Sequence, residues 1–518
     1  MSGVRPIVLA LLDGWGVRAE REGNAVALAR TPIYDRLAAT SPRAVLDASG
    51  IAVGLAAGKP GHAQAAYATL GAGRPVEPPL AHINRIFADH GPDGIASHPV
   101  LKQIISRVRP LGGAVHLIGA ITPSGIAGHQ NHLAVLAALL SHEGVKVWVH
   151  GAMDGVDTAP QGGIEHLREF LDDIAGAEHA ELGSVFGRSY GFDELSDPAA
   201  TAKLWHALAE AEAPHTEYPT AYLDECYRKG LNDDRIPPAL TSSFRGIRPD
   251  DALLLVNLQP DHGHALLGTL ADPVGAGLSP KAMPLSGVYS LVRLMPSAGV
   301  EAEPLFEALS FGDSLAETIS KAGLKQLTLT ESVAEANLWN FARGGAANLF
   351  PGENVLVTDT PPLTQAVKKP ELATAALTAE LLSALKAREH DIITANFCNA
   401  AIVGRTGNLR PTIGAIEAID KYLGKIAAQI GKRGGTLILC GTYGKAEQMT
   451  DPETGGPCTQ TSAAQVPFVM IGGSGHTLPA VGTLADVAPT ILDLLGIEPP
   501  AIMSGFSLMA ERADRVSA

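Results

Sequence analysis

Hydrophobic positions in this chain form short continuous runs and longer stretches with helical spacing. Ile7–Leu12 is apolar throughout and is followed by Asp13-Gly14, which predicts a buried strand of a parallel sheet. Ala25–Ala38 has apolar residues at helical spacing, so we predict a helix there, with Thr31-Pro32 close to a helix start. The chain therefore begins as a strand followed by a helix.

The same alternation continues through the rest of the sequence. Short apolar runs predict strands at Val115–Ile118, Val145–Val149, Leu253–Val256, Asp391–Asn396 and Thr436–Cys440. Helical periodicity predicts helices at Leu133–Leu140, Ile164–Ile174, Ala200–Ala211 and Ile413–Ile430, and another that starts at Ser314. Strands that alternate with helices indicate an α/β fold with parallel or mixed sheets covered on both faces.

Two boundaries divide this pattern. Val76-Glu77-Pro78-Pro79 interrupts the first strand–helix series, and a similar series resumes from about residue 310. We therefore predict one domain built from residues 1–78 and 306–518, with a second α/β domain, residues 79–305, inserted between its parts.

Composition narrows the classes of function. The 518 residues carry a formal charge of −15, which argues against a general nucleic-acid or membrane-surface binder because both of those partners are anionic. The four cysteines are too few for a disulfide scaffold of this size, so we expect reduced thiols in a cytoplasmic protein. No run of 18 apolar residues predicts a membrane span.

Several motifs resemble one known family. The first strand is followed by Asp13-Gly14-Trp15-Gly16, and the loop Pro60–Arg74 ends in Leu70-Gly71-Ala72-Gly73-Arg74. Together with Asp451–Pro457 these motifs are similar to those of the cofactor-independent phosphoglycerate mutases, in the alkaline phosphatase superfamily. The resemblance extends from Ile7 to about Leu508. It implies an alkaline-phosphatase-like, parallel-sheet domain split in sequence by an inserted α/β transferase-type domain.

The resemblance also implies a covalent mechanism that this chain lacks the residue to perform. The family loop reads M-G-N-S-E-V-G-H-L-N-L-G-A-G-R, and its serine nucleophile aligns with Ala63. A methyl group cannot carry a phosphoryl group. The catalytic residue is therefore unknown.

Family members hold two divalent ions, Mn²⁺ or Mg²⁺, with carboxylates and imidazoles. Only Asp13 is retained among the ligand positions that the motifs define. Non-ligand residues stand at the other positions of this vestigial metal pocket: Ala401, Arg405, Thr442, Tyr443 and Thr461, with Gln460 as the alternative to Thr461. One carboxylate cannot hold two divalent ions, so we expect no metal cofactor.

The phosphoglycerate clamp of the family is similarly altered. Its histidine, lysine and most of its arginines align with Ala127, Val156, Glu194, Gln259, His262 and Ala334. Arg188 is the arginine that remains, and scaffold glycines and prolines are kept. We infer that the chain must still fold, while its pocket need not bind phosphoglycerate.

Other chemistry at the old sites stays open. The candidate ligand pocket comprises His62, Lys445, Asp154, Asp157, Arg188 and His129. Arg405 and Lys445 could hold an anion or pair with Asp13 in place of a metal, although Asp13 could equally cap local amides and the two cations could be solvated. Cys398, Cys440 and Cys458 with His62 could form a rebuilt zinc site or a nucleophile–base pair, without supporting spacing.

Three hypotheses follow for the function. The first is a pseudoenzyme that binds a protein partner or a small anionic ligand. The second is a metal-independent enzyme that uses Asp13, Arg405, Tyr443 or Lys445. The third, an active phosphoglycerate mutase that converts 3-phosphoglycerate to 2-phosphoglycerate, fits the residues least well.

Overall fold

The computed structural model divides the chain into two compact units. The split unit consists of Met1–Pro78 and Leu309–Ala518, and the inserted unit is Pro79–Ala308. The residues that the structure describes are 6–77, 79–89, 91, 94–193, 196–294, 299–307, 310–335, 337–346, 348–362, 365–452, 454–472 and 477–509.

Strands of both units are numbered along the chain. They are β1 (Ile7–Gly14), β2 (Arg43–Asp47), β3 (Ala114–Ile121), β4 (Lys146–Met153), β5 (Ala180–Gly187), β6 (His215–Thr216), β7 (Ala239–Thr241), β8 (Ala252–Val256), β9 (Gly287–Val292), β10 (Glu303–Phe306), β11 (Gln326–Glu331), β12 (Glu353–Thr358), β13 (Ile392–Phe397), β14 (Thr436–Gly444), β15 (Val466–Ile471) and β16 (Val481–Thr483).

The α-helices are numbered in the same way. They are α1 (Ala25–Leu28), α2 (Pro32–Thr40), α3 (Ala63–Ala72), α4 (Pro79–Ala88), α5 (Pro99–Val108), α6 (Gln130–His142), α7 (Gly163–Ile174), α8 (Pro198–Glu210), α9 (Pro219–Arg228), α10 (His264–Ala271), α11 (Leu315–Lys321), α12 (Thr374–Ala387), α13 (Asn399–Gly404), α14 (Leu409–Gly431) and α15 (Val487–Leu495).

The split unit is built on one eight-stranded sheet. Its strand order is β12-β11-β13-β1-β14-β15-β2-β16, and only the pairs that involve β15 are antiparallel. The central strand β1 is buried along its whole length, because helices cover both faces of the sheet. Strands β11, β13, β1 and β14 are parallel, so their carboxyl ends lie at one edge of the sheet. Polar side chains converge at this edge.

The inserted unit has a second eight-stranded sheet. The order is β10-β9-β8-β3-β4-β5-β7-β6, and the single antiparallel pair is β5 with β7. From β3 the chain moves to β4 and β5 on one side, and later to β8, β9 and β10 on the other. Such a reversal places ligand sites of open α/β sheets at the carboxyl ends of the strands.

One predicted helix is two helices. Residues 25–38 form α1 and the start of α2, with a break at Ala29. The Asn24 side chain caps α1, and Pro32 occupies the first turn of α2. Proline disfavours helical geometry in the residue before it and lacks the N–H that a continuous helix needs, so it starts a new helix here.

Candidate functional site

Asp13 lies at the carboxyl edge of the split unit's sheet and is only 1% exposed. The Thr442 hydroxyl and the Tyr67 hydroxyl donate to Oδ1 at 2.6 and 3.0 Å. The Asn396 amide donates to Oδ2 at 2.9 Å and also contacts the Tyr67 hydroxyl. Both carboxyl oxygens are therefore hydrogen-bonded by side chains, rather than by the backbone amides that a simple strand-end cap would use.

Burial sets the electrostatics of this carboxyl group. It raises the pKa of Asp13 above its usual value, although the bonds from Thr442, Asn396 and Tyr67 and the charge of Arg405 act in the opposite direction. Burial also raises the pKa of the Tyr67 hydroxyl well above its usual value, with the nearby Asp13 adding to the effect. Tyr67 is therefore a neutral donor.

Helix α3 carries the residue that the family loop aligns with the nucleophile. Ala63 is the first residue of α3, and the preceding His62 caps the helix, because its Nδ1 accepts from the Ala65 N–H at 3.5 Å. Burial lowers the pKa of His62 to about 4, so it is neutral near pH 7. Tyr67, one turn further along, reaches Asp13.

The other predicted metal-pocket residues surround this edge without converging as ligands. Ala401 is buried in α13 and packs against Gly14, where a Cβ would come within 2.8 Å of the Ala401 Cα. Arg405 follows α13 and is partly buried. Tyr443 is buried in β14, and Thr461 is partly buried in the loop after Cys458.

Lys445 is enclosed, which the sequence does not indicate. Its side chain is 0% exposed, and Nζ donates to the Cys458 carbonyl at 3.0 Å and lies 3.8 Å from the Met449 sulfur. Burial lowers the pKa of Lys445 to about 8. Nearby, the buried Glu447 accepts from the Gly16 and Lys445 backbone N–H groups at 3.1 and 2.8 Å. Lys445 therefore ties the loop around Cys458 to the end of β14.

Metal-binding groups are scarce across the described residues. Among all described residues, one group has three ligand atoms within 4.8 Å of one another. It consists of His206, Glu210 and Glu212 in the inserted unit. In the described part of the chain, Asp13, His62 and the cysteines form no such group. The hydroxyl, amide, methyl and guanidinium groups around Asp13 do not fit a site for two divalent ions, whose usual ligands are carboxylates and imidazoles.

Two of the cysteines near this edge, Cys398 and Cys440, do not have the properties of nucleophiles. All four cysteines are free and buried. Burial raises the pKa of Cys440 above its usual value and that of Cys398 well above it, and the charges of Glu331 and Asp13 add to the effect at Cys398. A reactive thiol needs the opposite shift. These two thiols are therefore protonated and unreactive near pH 7.

In the inserted unit, Arg188 brings several predicted residues together. It follows β5, and its Nη1 donates to Asp154 and Asp157, both at 2.7 Å. Nε and Nη2 bond Asp193 at 2.9 and 2.8 Å, and Nη2 also lies 2.9 Å from Nε2 of His262. All five N–H donors of this guanidinium are therefore directed at the protein's own side chains.

The neighbouring groups are equally well bonded. Asp154 also accepts from the Thr122 hydroxyl at 2.7 Å and from the Asp157 N–H at 3.0 Å. Burial alone would raise the pKa of Asp154, but Arg188 and these hydrogen bonds outweigh it, and the pKa is lowered. His129 is not part of this network: it caps α6 through the Asn131 N–H at 3.2 Å. Glu194 lies outside the described residues.

Two important residues are absent from the sequence-based candidates. Tyr67 and Asn396 supply two of the three hydrogen bonds to Asp13. A signal for Tyr67 exists, because it aligns with the histidine of the family loop. Asn396 ends an apolar strand run, and a polar residue at the carboxyl end of a buried strand is itself a reason to consider it.

The fold is that of a class of protein, the metalloenzyme superfamily, whose sequence model matches residues 5–499. Within it, the chain belongs to the phosphoglycerate mutase family. It is 32% identical to the 2,3-bisphosphoglycerate-independent phosphoglycerate mutase of Rhodopseudomonas palustris over 98% of this chain and 100% of that protein. It is 33% identical to that of Gluconobacter oxydans, over 98% and 99% of the two chains.

A solved structure has the same fold. Phosphoglycerate mutase of Leishmania mexicana, crystallised at low cobalt concentration, superposes with a TM-score of 0.84 over 98% of both chains at 21% identity. The predicted alkaline-phosphatase-like α/β fold and the family resemblance are therefore confirmed. None of the helices in the described part of the chain is long and apolar enough to cross a membrane.

Proposed function

We propose that this chain is a catalytically inactive member of the phosphoglycerate mutase family that acts as a binding subunit. The observation that carries the proposal is the state of Asp13. Tyr67, Thr442 and Asn396 occupy both of its carboxyl oxygens. A metal ion at Asp13 would have to displace these donors, and among the described residues Asp13 belongs to no group of three ligand atoms within 4.8 Å of one another.

We also propose that this protein needs no divalent metal ion. The relatives form a metalloenzyme family, but we expect this chain to fold and persist without a divalent ion. Lys445 already places a buried cation near the end of β14. The four free cysteines agree with our proposal of a cytoplasmic location.

Of the two kinds of ligand, we favour a protein partner over a small anion. Arg188 is the retained arginine of the anion clamp, and three carboxylates surround it. An anion at this position would meet net negative charge and would have to break charge-assisted hydrogen bonds, each worth about 1.5–3 kcal/mol.

The proposal is tested by turnover and metal content together. The purified protein is assayed for conversion of 3-phosphoglycerate to 2-phosphoglycerate with Mn²⁺, Mg²⁺ or Co²⁺, and its bound metal is measured by mass spectrometry. Losing the nucleophile alone lowers turnover about a million-fold in a well-studied hydrolase, so we expect no turnover above background and less than one equivalent of metal.

Asp13→Ala and Ala63→Ser are the matched variants. We expect Ala63→Ser to restore no activity, because the other ligand positions are still replaced. Metal-dependent turnover in the unmodified protein that disappears in Asp13→Ala would overturn the proposal.

One observation favours the alternative, a metal-independent enzyme. Glu331 ends β11 and is fully buried, and burial raises its pKa to about 7 despite a hydrogen bond from the Ala373 N–H at 3.2 Å. A carboxyl group that titrates near pH 7 suits general acid–base catalysis. If any metal-free turnover is found, Glu331→Gln should abolish its pH dependence around 7. Unchanged pH dependence would exclude Glu331 as the acid–base group.

A further inference from the structure

A cavity of about 60 Å³ lies inside the split unit, between one face of its sheet and helices α3 and α11. Leu9 and Leu11 of β1 and Leu70 of α3 contribute to its apolar walls. It lies on the sheet face to which residues 9 and 11 of β1 point. Tyr67 lines the cavity and also bonds Asp13, so the cavity adjoins the carboxyl edge without being part of it.

Small residues keep the cavity open. Gly71, Ala316 and Ala342 line it where larger side chains would fill the space. Helix α3 already lies close to the opposite wall at Gly71, where an added Cβ would come within 1.9 Å of the Ala342 carbonyl oxygen. That wall is the π-helical segment Asn337–Ala342, and π-helices occur frequently at functional sites.

The floor of the cavity is polar. Thr328 of β11 and Thr394 of β13 are direct neighbours in the sheet, and both line the cavity. Each is partly exposed, whereas Gln326 and Thr330 on the same face of β11 are buried. Neither threonine hydroxyl has a hydrogen-bond partner among the described residues. Two adjacent threonines with unpaired hydroxyls thus line a cavity whose other walls are mostly apolar.

Two charged residues line the cavity, and they neutralise each other. Arg343 and Glu353 both line the cavity and form a buried ion pair at 2.8 Å. Arg343 also donates to the Ala346 carbonyl at 3.1 Å. A charged ligand would have to be desolvated without gaining an opposite charge, which costs several kcal/mol.

We propose that this cavity binds a small uncharged molecule that carries a hydroxyl or carbonyl group on an apolar body. Its polar group bonds Thr328 and Thr394, and its body contacts the leucine walls. The volume accommodates roughly four to six non-hydrogen atoms. This inference goes beyond the proposed function and does not depend on it.

Three probes with the same number of non-hydrogen atoms test the assignment: cyclopentanol, methylcyclopentane and cyclopentylammonium. Dissociation constants are measured on the full chain by ligand-observed NMR, with the shift in Tm as a second readout. We expect cyclopentanol and methylcyclopentane to bind and raise Tm, and cyclopentylammonium to do neither.

Two variants locate the binding. Ala316→Leu adds three carbon atoms inside the cavity and should abolish binding of both neutral probes, while Ala375→Leu, on the exposed face of α12, should leave it unchanged. The double variant Thr328→Val, Thr394→Val keeps the shape of the floor but removes both hydroxyls. This variant should raise the dissociation constant of cyclopentanol about two- to tenfold and leave that of methylcyclopentane unchanged.

Absence of binding by both neutral probes would overturn the proposal. Binding that survives Ala316→Leu would place the probes elsewhere and would also overturn it. Equal affinity of the valine variant and the unmodified protein for cyclopentanol would overturn the assignment of the ligand's polar group to Thr328 and Thr394. None of these results depends on mutase turnover, so failure here is distinct from failure of the proposed function.

Discussion

Asp13 and Arg188 are charged side chains that the family motifs retain, and in this protein both bond to its own groups. Asp13 accepts from two hydroxyls and one amide, and Arg188 contacts three aspartates. Breaking such buried contacts to bind a ligand leaves groups unpaired, which costs about 1–3 kcal/mol each and more for charged groups. Each retained side chain is therefore already hydrogen-bonded within the protein, which is why we expect neither to act as it does in the family.

His132 gives a pH-dependent prediction at the same scale. It is 2% exposed in α6, and burial, with a smaller effect of His129, lowers its pKa from 6.5 to about 3. The unfolded chain therefore takes up a proton first, so the stability that the neutral ring contributes is present above pH 6.5 and is lost as pH falls toward 3. Between pH 8 and pH 5 this loss is about 2 kcal/mol.

His132→Gln removes that titration and keeps an amide that can donate to Asn84, which lies 2.8 Å from the ring nitrogen. We expect the free energy of urea unfolding to fall about 2 kcal/mol less between pH 8 and pH 5 in this variant than in the unmodified protein. His142→Gln, at an exposed position of α6, is the control. If the free energy of unfolding changed with pH in the same way in all three proteins, the pH-dependent loss of stability would not come from His132.

At the scale of elements, close approach of backbones fixes how α3 sits on the rest of the split unit. Gly71 lies in the last turn of α3 against the π-helical segment Asn337–Ala342. Helices normally gain stability when glycine becomes alanine. At Gly71 there is no space for a methyl group, so we expect the substitution to alanine to lower stability instead of raising it.

Gly71→Ala should therefore destabilise the protein by about 1–3 kcal/mol, because a Cβ would come 1.9 Å from a carbonyl oxygen. Gly431→Ala, at the end of α14, meets nothing within 4 Å and should be neutral or stabilising by up to about 1 kcal/mol. Urea unfolding of both variants measures the difference. Equal effects of the two substitutions would show that α3 can shift away from the segment.

Charge is unevenly distributed over the whole molecule. Residues 79–308 contain 28 Asp and Glu against 15 Lys and Arg, so they carry −13 of the formal −15. Like charges repel in a compact body and destabilise it, whereas salt screens them. The inserted unit should therefore respond more strongly to ionic strength than the split unit.

Hydrogen exchange of the intact protein, followed peptide by peptide, measures both units together. Raising NaCl from about 0.01 M to about 1 M shortens the screening length from about 30 to about 3 Å. We expect slowly exchanging amides of β3, β4 and β8 to gain more protection than those of β1, β13 and β14. An equal gain in both sheets would show that the excess acidic charge does not limit the stability of the inserted unit.

The sequence by itself determined the α/β class and the family, and it singled out Ala63 and the positions around Asp13 on which the proposed loss of catalysis rests. These follow from local apolar runs and motif spacing, which are properties of neighbouring residues. It placed a helix start close to Thr31-Pro32 but still predicted one helix over Ala25–Ala38, because the apolar spacing continues across Pro32. There the local effect of one proline outweighs the periodicity.

Only the tertiary structure decided which groups meet Asp13. Asn396 and Thr442 come from strands distant in sequence, and parallel pairing on either side of β1 brings their ends beside it. The burial of Lys445, the enclosure of Arg188 by aspartates and the open floor at Thr328 and Thr394 likewise depend on strand order and helix packing. Solvent access and pKa are set by everything that surrounds a group, so the chain specifies them only once it has folded.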